Sequence, residues 1–152
     1  MPHAPGQKFH ELSEPEQTWL AQHRDLLVEL LQVIEPSGDQ DEEVTLPEAA
    51  DLVIERWRDE DEETRLDPNE IVHMAGVAVG DSLAQILGEP YDLRWMIVED
   101  ADGMDLCLHS ESKGLTLYPS HTIAKHSHTA RKGLVSELFL GLLTRLEEFD
   151  GS

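Results

Sequence analysis

A chain of 152 residues with 39% hydrophobic content is of single-domain size and long enough to bury a core. Its 32 Asp and Glu stand against 11 Lys and Arg, a net charge of −21; residues 1–90 hold 22 acids and 5 bases, residues 91–152 only 10 and 6. Such a front half repels phosphate and anionic lipid, which argues against nucleic acid and membrane partners and for a basic protein patch, a cation or a cationic peptide.

Residues 1–9 carry Pro2, Pro5 and Gly6 but no apolar run, so no signal peptide is read. No apolar stretch approaches the roughly 20 residues of a membrane span. Cys107 is the single cysteine, which precludes an intramolecular disulfide and fits a cytoplasmic setting. The acid runs at 39–43 and 59–63 read as solvated loops or helix ends, and residues 1–12 and 36–44 as flexible parts of one domain spanning 1–152.

Three helix starts share one signal. Ser13-Glu14-Pro15-Glu16, Thr45-Leu46-Pro47-Glu48 and Asp67-Pro68-Asn69-Glu70 each place a capping oxygen three residues before a Glu, with Pro in the first turn. The spacing predicts helices over 14–34 (stripe Trp19, Leu20, Leu27, Leu30, Leu31, Ile34), 46–58 (Ala49, Ala50, Val53, Trp57) and 68–87 (Ile71, Val72, Ala75, Ala78, Val79, Leu83, Ile86). Gly76 and Gly80 lie one turn apart in the third helix. Each costs about 1 kcal/mol relative to Ala, so a close neighbouring backbone is expected there.

From Tyr91 the period changes to two. Residues 94–99 and 105–109 read as strands joined by Ala101-Asp102-Gly103, and Lys113-Gly114 turns the chain into a strand over 115–118, stopped by Pro119. Residues 122–125 offer a fourth, short edge strand, and 134–149 a closing helix bearing Val135, Leu138, Phe139, Leu142, Leu143, Leu146 and Phe149. The fold class is α+β: three N-terminal helices, a three- to four-stranded antiparallel meander, one C-terminal helix. Leucines line one sheet face; whether Trp95 or Met96 joins them depends on the register, which the sequence does not fix. The second face must be covered by helices one and two or by a second copy.

Among the eight histidines, His121, His126 and His128 fall with Lys125, Arg131 and Lys132 in the most basic stretch of the chain. Their spacing matches no zinc pattern, so they are weak metal candidates and better read as a polar connector or a docking patch. Asp100 to Asp105 lacks the first ligand and the bidentate Glu of a calcium loop and reads as a hairpin turn. Cys107 and His109 share a strand face about 7 Å apart with no orienting acid, so Cys107 reads as a small hydrophobe rather than a nucleophile. No G-x-S-x-G, Walker A, H-E-x-x-H or C-x-x-C occurs, and no catalytic residue or cofactor is assigned.

Gly76-Val77-Ala78-Val79-Gly80-Asp81-Ser82-Leu83, Trp95-Met96-Ile97-Val98-Glu99-Asp100 with Gly103-Met104-Asp105, and Leu117-Tyr118-Pro119 before Ile123 and Lys125 stand in one order. Over residues 68–149 this order resembles a family of small bacterial proteins, common in actinobacteria, classed as a domain of unknown function. The resemblance implies a glycine-bearing helix, a β-meander and a terminal helix in a bacterial cytoplasm, and carries over no catalytic residue.

Two function classes follow. The first is a non-enzymatic protein-interaction module (adaptor, chaperone-like or immunity-like), monomeric or homodimeric, with Trp95, Tyr118, Lys125, Arg131 and Lys132 as interaction candidates. The second is a hydrolase or metal-dependent enzyme built around His121, His126 and His128.

Overall fold

The helices begin where their capping residues stand. In the computed structural model, which describes residues 7–34, 45–89, 91–126 and 133–151, the elements run β1 Lys8–His10, α1 Glu14–Ile34, α2 Leu46–Asp59, α3 Pro68–Leu87, β2 Arg94–Asp100, β3 Gly103–Ser110, β4 Leu115–Leu117, α4 Pro119–His126 and α5 Leu134–Gly151. At α1 the Ser13 amide and hydroxyl both donate to the Glu16 carboxylate. At α2 the Thr45 hydroxyl accepts from the Glu48 amide, and at α3 the Asp67 carboxylate accepts from the Asn69 amide at 2.8 Å. Glu70, which a capping box would turn back toward Asp67, instead reaches across to α1, where its Oε2 lies 3.2 Å from His23 Nε2. Gly88 ends α3 at φ 51, a left-handed conformation that its missing Cβ makes cheap, and its amide donates to Ala84 O.

Helix α3 is the centre of the molecule. It packs against α1, α2, α4 and α5, and Met74, Ala75, Val79 and Leu83 are fully buried along it. Each large side chain sealed in this way is worth about 1.5–3 kcal/mol. The same cluster takes Leu27 from α1, Val53 from α2, Ile123 from α4, Val135 and Phe139 from α5, and Leu108 and Leu115 from the sheet. The helices therefore cover the leucine face.

The sheet is antiparallel throughout, in the order β1-β2-β3-β4. Trp95 pairs with Leu108 and Leu108 with Leu117, so Trp95 belongs to the helix-covered face and Met96, opposite Cys107, to the other. Asp100 pairs with Gly103, which shortens the expected three-residue turn to Ala101 and Asp102.

Two expectations are corrected here. Residues 122–125 are not an edge strand but the body of α4, whose first turn is closed by the Thr122 amide donating to Tyr118 O. Pro119 is thus a first-turn helix residue, where its missing N–H is harmless, as well as a strand stop. The fourth strand comes instead from residues 8–10, inside the segment read as flexible, where Phe9 pairs with Val98 on the edge of β2. The 36–44 segment lies outside the described residues.

The second sheet face is buried without joining the helical core. Val98, Cys107 and His109 are buried yet stand apart from that cluster. Two contacts run across this face from the N-terminal segment: the Phe9 ring stacks on His109 with centroids 3.9 Å apart, and Gln7 hydrogen-bonds the Tyr118 hydroxyl. The N-terminal segment thus lies over His109 and Tyr118, where helices one and two or a second copy were expected.

Candidate functional site

A cleft of about 420 Å³ opens where the start of α1, the first half of α3, the β2–β3 hairpin and the start of α4 converge. Glu16 and Trp19 form the α1 wall, His73 the α3 wall, Trp95 and Asp105 the sheet wall, and Ser120 and His121 the α4 wall. Its size falls in the ordinary range of ligand pockets, roughly 300–1,000 Å³.

Each wall has a local cause. Trp19 and His23 stand one turn apart on α1, which brings their rings to 4.1 Å, and His23 Nδ1 donates to Trp19 O at 2.8 Å. His73 meets the edge of Trp19 at 5.2 Å and of His23 at 5.8 Å. His23 Nε2 lies 3.2 Å from Glu70 Oε2 without a hydrogen bond, and His73 Nδ1 is buried with no hydrogen-bond partner among the described residues.

Trp95 is pinned from behind. Its Nε1 donates to Asp81 Oδ1 at 2.9 Å, and Asp81 also takes a two-pronged contact from Arg24, Nε to Oδ2 at 2.7 Å and a terminal nitrogen to Oδ1 at 2.8 Å. The bond to Asp81 raises the Arg24 guanidinium above its ordinary value. One carboxylate thereby ties α1, α3 and β2 together, and a bidentate Arg pair is the strong form of such a tie. Helix α4 is seated by Ser120, which lies directly against Gly76 of α3. Its next residue, His121, presents Nε2 to Asp105 Oδ2 at 2.8 Å, both side chains about half exposed.

The His73 ring is held below its ordinary value of 6.5, first by burial and then by His23, with His121 adding to the effect and Glu70 and Asp105 opposing it. The folded protein therefore binds fewer protons than the unfolded chain once the pH falls below 6.5. The stability that the neutral ring contributes is present above that value and lost as the pH drops through it toward the folded value. Denaturant unfolding at pH 7, 6 and 5 should show a falling midpoint, and His73→Met should flatten the fall. An equally steep fall in the variant would assign it to other groups.

The sequence candidates separate into groups. Trp95 and His121 line the cleft. Tyr118 lies in an adjoining depression of about 270 Å³ with Asp100, Asp102 and Met104, its ring 5.5 Å from that of His121. Burial pushes the Tyr118 hydroxyl up from its ordinary value. The Asp105–His121 pair is shared by both depressions and divides them. Lys125 and His126 are exposed in the last turn of α4. Five positions on a helix turn a side chain through about 140°, so His121 and His126 do not converge. His128, Arg131 and Lys132 lie outside the described residues. Among the described residues no three His, Cys, Asp or Glu come together as a metal site.

Cys107 is fully buried on the far face, and burial, then Asp105, pushes its thiol up to about 12. It is a protonated, shielded group, as expected of a small hydrophobe. Glu16, Trp19, His73 and Asp105 are the site residues that sequence reasoning did not single out. The available signals were a Trp and a His at helical spacing on α1, and a lone His73 inside an apolar run of α3.

Among the described residues these features define an α+β protein with five helices, a four-stranded antiparallel sheet whose leucine face they cover, and an aromatic cleft at their seam. The chain belongs to the family described as Domain of unknown function (DUF3806), whose model matches residues 52–139. That stretch runs from α2 into α5 and contains every cleft wall except the one supplied by α1. The fold is similar to a crystal structure from Bacteroides thetaiotaomicron, with a TM-score of 0.63 at 11% identity, covering 93% of this chain and 48% of that one. The chain thus spans about half the length of that neighbour, and the likeness is one of fold alone. No curated protein matches. No helix among the described residues is long and apolar enough to cross a membrane.

Proposed function

We propose that the protein is a non-enzymatic protein-interaction module that presents the cleft to a basic surface of a protein partner. The observation that carries this reading is the cleft itself: Trp19 and Trp95 line it together with Glu16 and Asp105, on a chain of net charge −21. Aromatic residues in a pocket are the usual anchors of an interface, and the surrounding negative field speeds encounter with a basic partner and rejects acidic ones. An adaptor, a chaperone-like shield and an inhibitor of a basic protein all use a surface of this kind.

One observation favours a hydrolytic reading, the Asp105–His121 pair at the mouth, since a carboxylate that orients an imidazole is the usual support of a general base. Such a base would act on a water, because two side-chain nucleophiles of this region are turned elsewhere. The Ser120 hydroxyl lies against Gly76, and Cys107 is buried on the other side of the sheet.

Calorimetric titration with oligolysine and oligoglutamate peptides tests the proposal. Oligolysine should bind, with affinity falling as salt rises, and Trp19→Ala should weaken it by about tenfold, the scale of an interface anchor. Equal binding of both peptides, or no effect of Trp19→Ala, would sink the reading.

A further inference from the structure

We infer that the cleft is built to take one cationic side chain, a lysine or arginine of the partner, with its charge over the Trp19 and Trp95 indoles and against the Asp105 carboxylate. This rests on the reading of the cleft as an interaction site. The walls supply both halves of such recognition. Two indoles are among its lining residues, and an indole face attracts a cation more strongly than any other side-chain ring. Leu106 and Pro15 line the cleft beside them and suit the alkyl stem that lysine and arginine lay along apolar surface.

The charge balance of the cleft points the same way. No lysine or arginine is among its described lining residues, while two carboxylates are. Arg24, just over one turn of α1 beyond Trp19, is committed to Asp81 and does not neutralise them. His73 adds no positive charge at neutral pH, because burial and His23 hold its ring in the neutral form. Glu16 is already engaged by Ser13, which leaves Asp105 as the counter-ion within reach.

Asp105 is occupied, but weakly. Its Oδ1 accepts from the Leu106 amide at 2.9 Å, which fixes the carboxylate, and its Oδ2 faces His121 across a half-exposed pair. Exposed pairs of this kind contribute little net energy, so an incoming ammonium or guanidinium can take the place of the imidazole. A guanidinium can also stack flat on an indole and fork onto the carboxylate, whereas an ammonium can only approach as a point charge. His121 in this arrangement is a displaceable placeholder at the mouth of the pocket.

The test follows the indole N–H signals of Trp19, Trp95 and Trp57 by NMR while pentapeptides Gly-Gly-X-Gly-Gly, blocked at both ends, are added with X as arginine, lysine, citrulline or norleucine. The arginine or lysine peptide should shift the Trp19 and Trp95 signals saturably and leave Trp57 unmoved, with citrulline and norleucine weaker by about tenfold. Asp105→Asn should weaken the cationic peptides by about fivefold, and His121→Ala should leave them at least as tight. Citrulline or norleucine binding as well as arginine would overturn the cation pocket while leaving an interaction cleft in place. Oligolysine binding with none of the pentapeptides moving either cleft indole would overturn it in the same way. If oligolysine also fails to bind, the interaction reading falls with it. The peptide comparisons use the unaltered protein, so they decide the matter even where a variant does not fold.

Discussion

Gly76→Ala should destabilise the protein by about 1–3 kcal/mol, the usual cost of overpacking a closed contact, although alanine is the better helix former by about 1 kcal/mol. A Cβ on Gly76 would stand 2.7 Å from Ser120 Cα and 2.8 Å from its nitrogen, so the obstacle is backbone and α4 must lift from α3. At Gly80 the obstacle is the Trp95 ring, which the added carbon would meet at Cζ2 and, 2.5 Å away, at Cη2. A ring can often swing aside, but this one is held through Nε1 by Asp81, which Arg24 holds in turn. Gly80→Ala is therefore also destabilising, and Gly80→Leu more so. Gly141 on α5 is the control, because a Cβ there meets nothing within 4 Å, and Gly141→Ala should stabilise by about 0.5–1 kcal/mol. Urea midpoints of the three alanine variants decide the matter. A Gly76→Ala midpoint that rises like that of Gly141→Ala would show that α4 is not seated on α3 through Ser120.

The same two glycines show how far the sequence could be read. Their cost within a helix signals a close contact, and the contact exists, but only at Gly76 is the neighbour a backbone as expected; at Gly80 it is an indole. The caps of α1, α2 and α3 are local chemistry written within four residues, so those starts were legible. Strand β1 was not, because Lys8-Phe9-His10 is too short to show a period and becomes a strand only through pairing with Val98 and its neighbours on β2. Helix α4 reads as a strand because Thr122 and Ile123 are β-branched, whereas its start at Pro119 and its seat on Gly76 are decided by tertiary contact. The cleft draws on Trp19, His73, Trp95, Asp105 and His121, five residues on five elements. No spacing rule joins residues so far apart, and only Trp95 and His121 stood out, for reasons unrelated to the cleft they share.

Asp51→Ala should lower stability by about 3 kcal/mol, because its carboxylate closes the N-terminus of a helix that lies 84 residues further along the chain. Asp51 sits within α2 and is buried, an expensive place for a carboxylate unless it is fully bonded. Its Oδ1 accepts from the Val135 amide at 2.8 Å, and its Oδ2 from the Ser136 amide at 3.0 Å and the Ser136 hydroxyl at 2.7 Å. The first-turn amides of α5 have no partner within their own helix, and negative charge beside them also meets the positive end of its dipole. Alanine would strand the Val135 amide, on a residue with no exposed surface, and each buried donor left unpaired costs roughly 1–3 kcal/mol. Asparagine keeps the shape and one acceptor oxygen but presents donors to donors at the other position, so Asp51→Asn should lose part of the effect rather than none. Ser136→Ala, which removes only the hydroxyl contact, should cost about 1 kcal/mol. Denaturant unfolding ranks the three variants, and hydrogen exchange locates the cause: the Val135 and Ser136 amides should exchange much faster in Asp51→Ala than amides in the middle of α3. If exchange at α5 were unchanged while global stability fell, the carboxylate would be acting through α2 packing and not as the cap of α5.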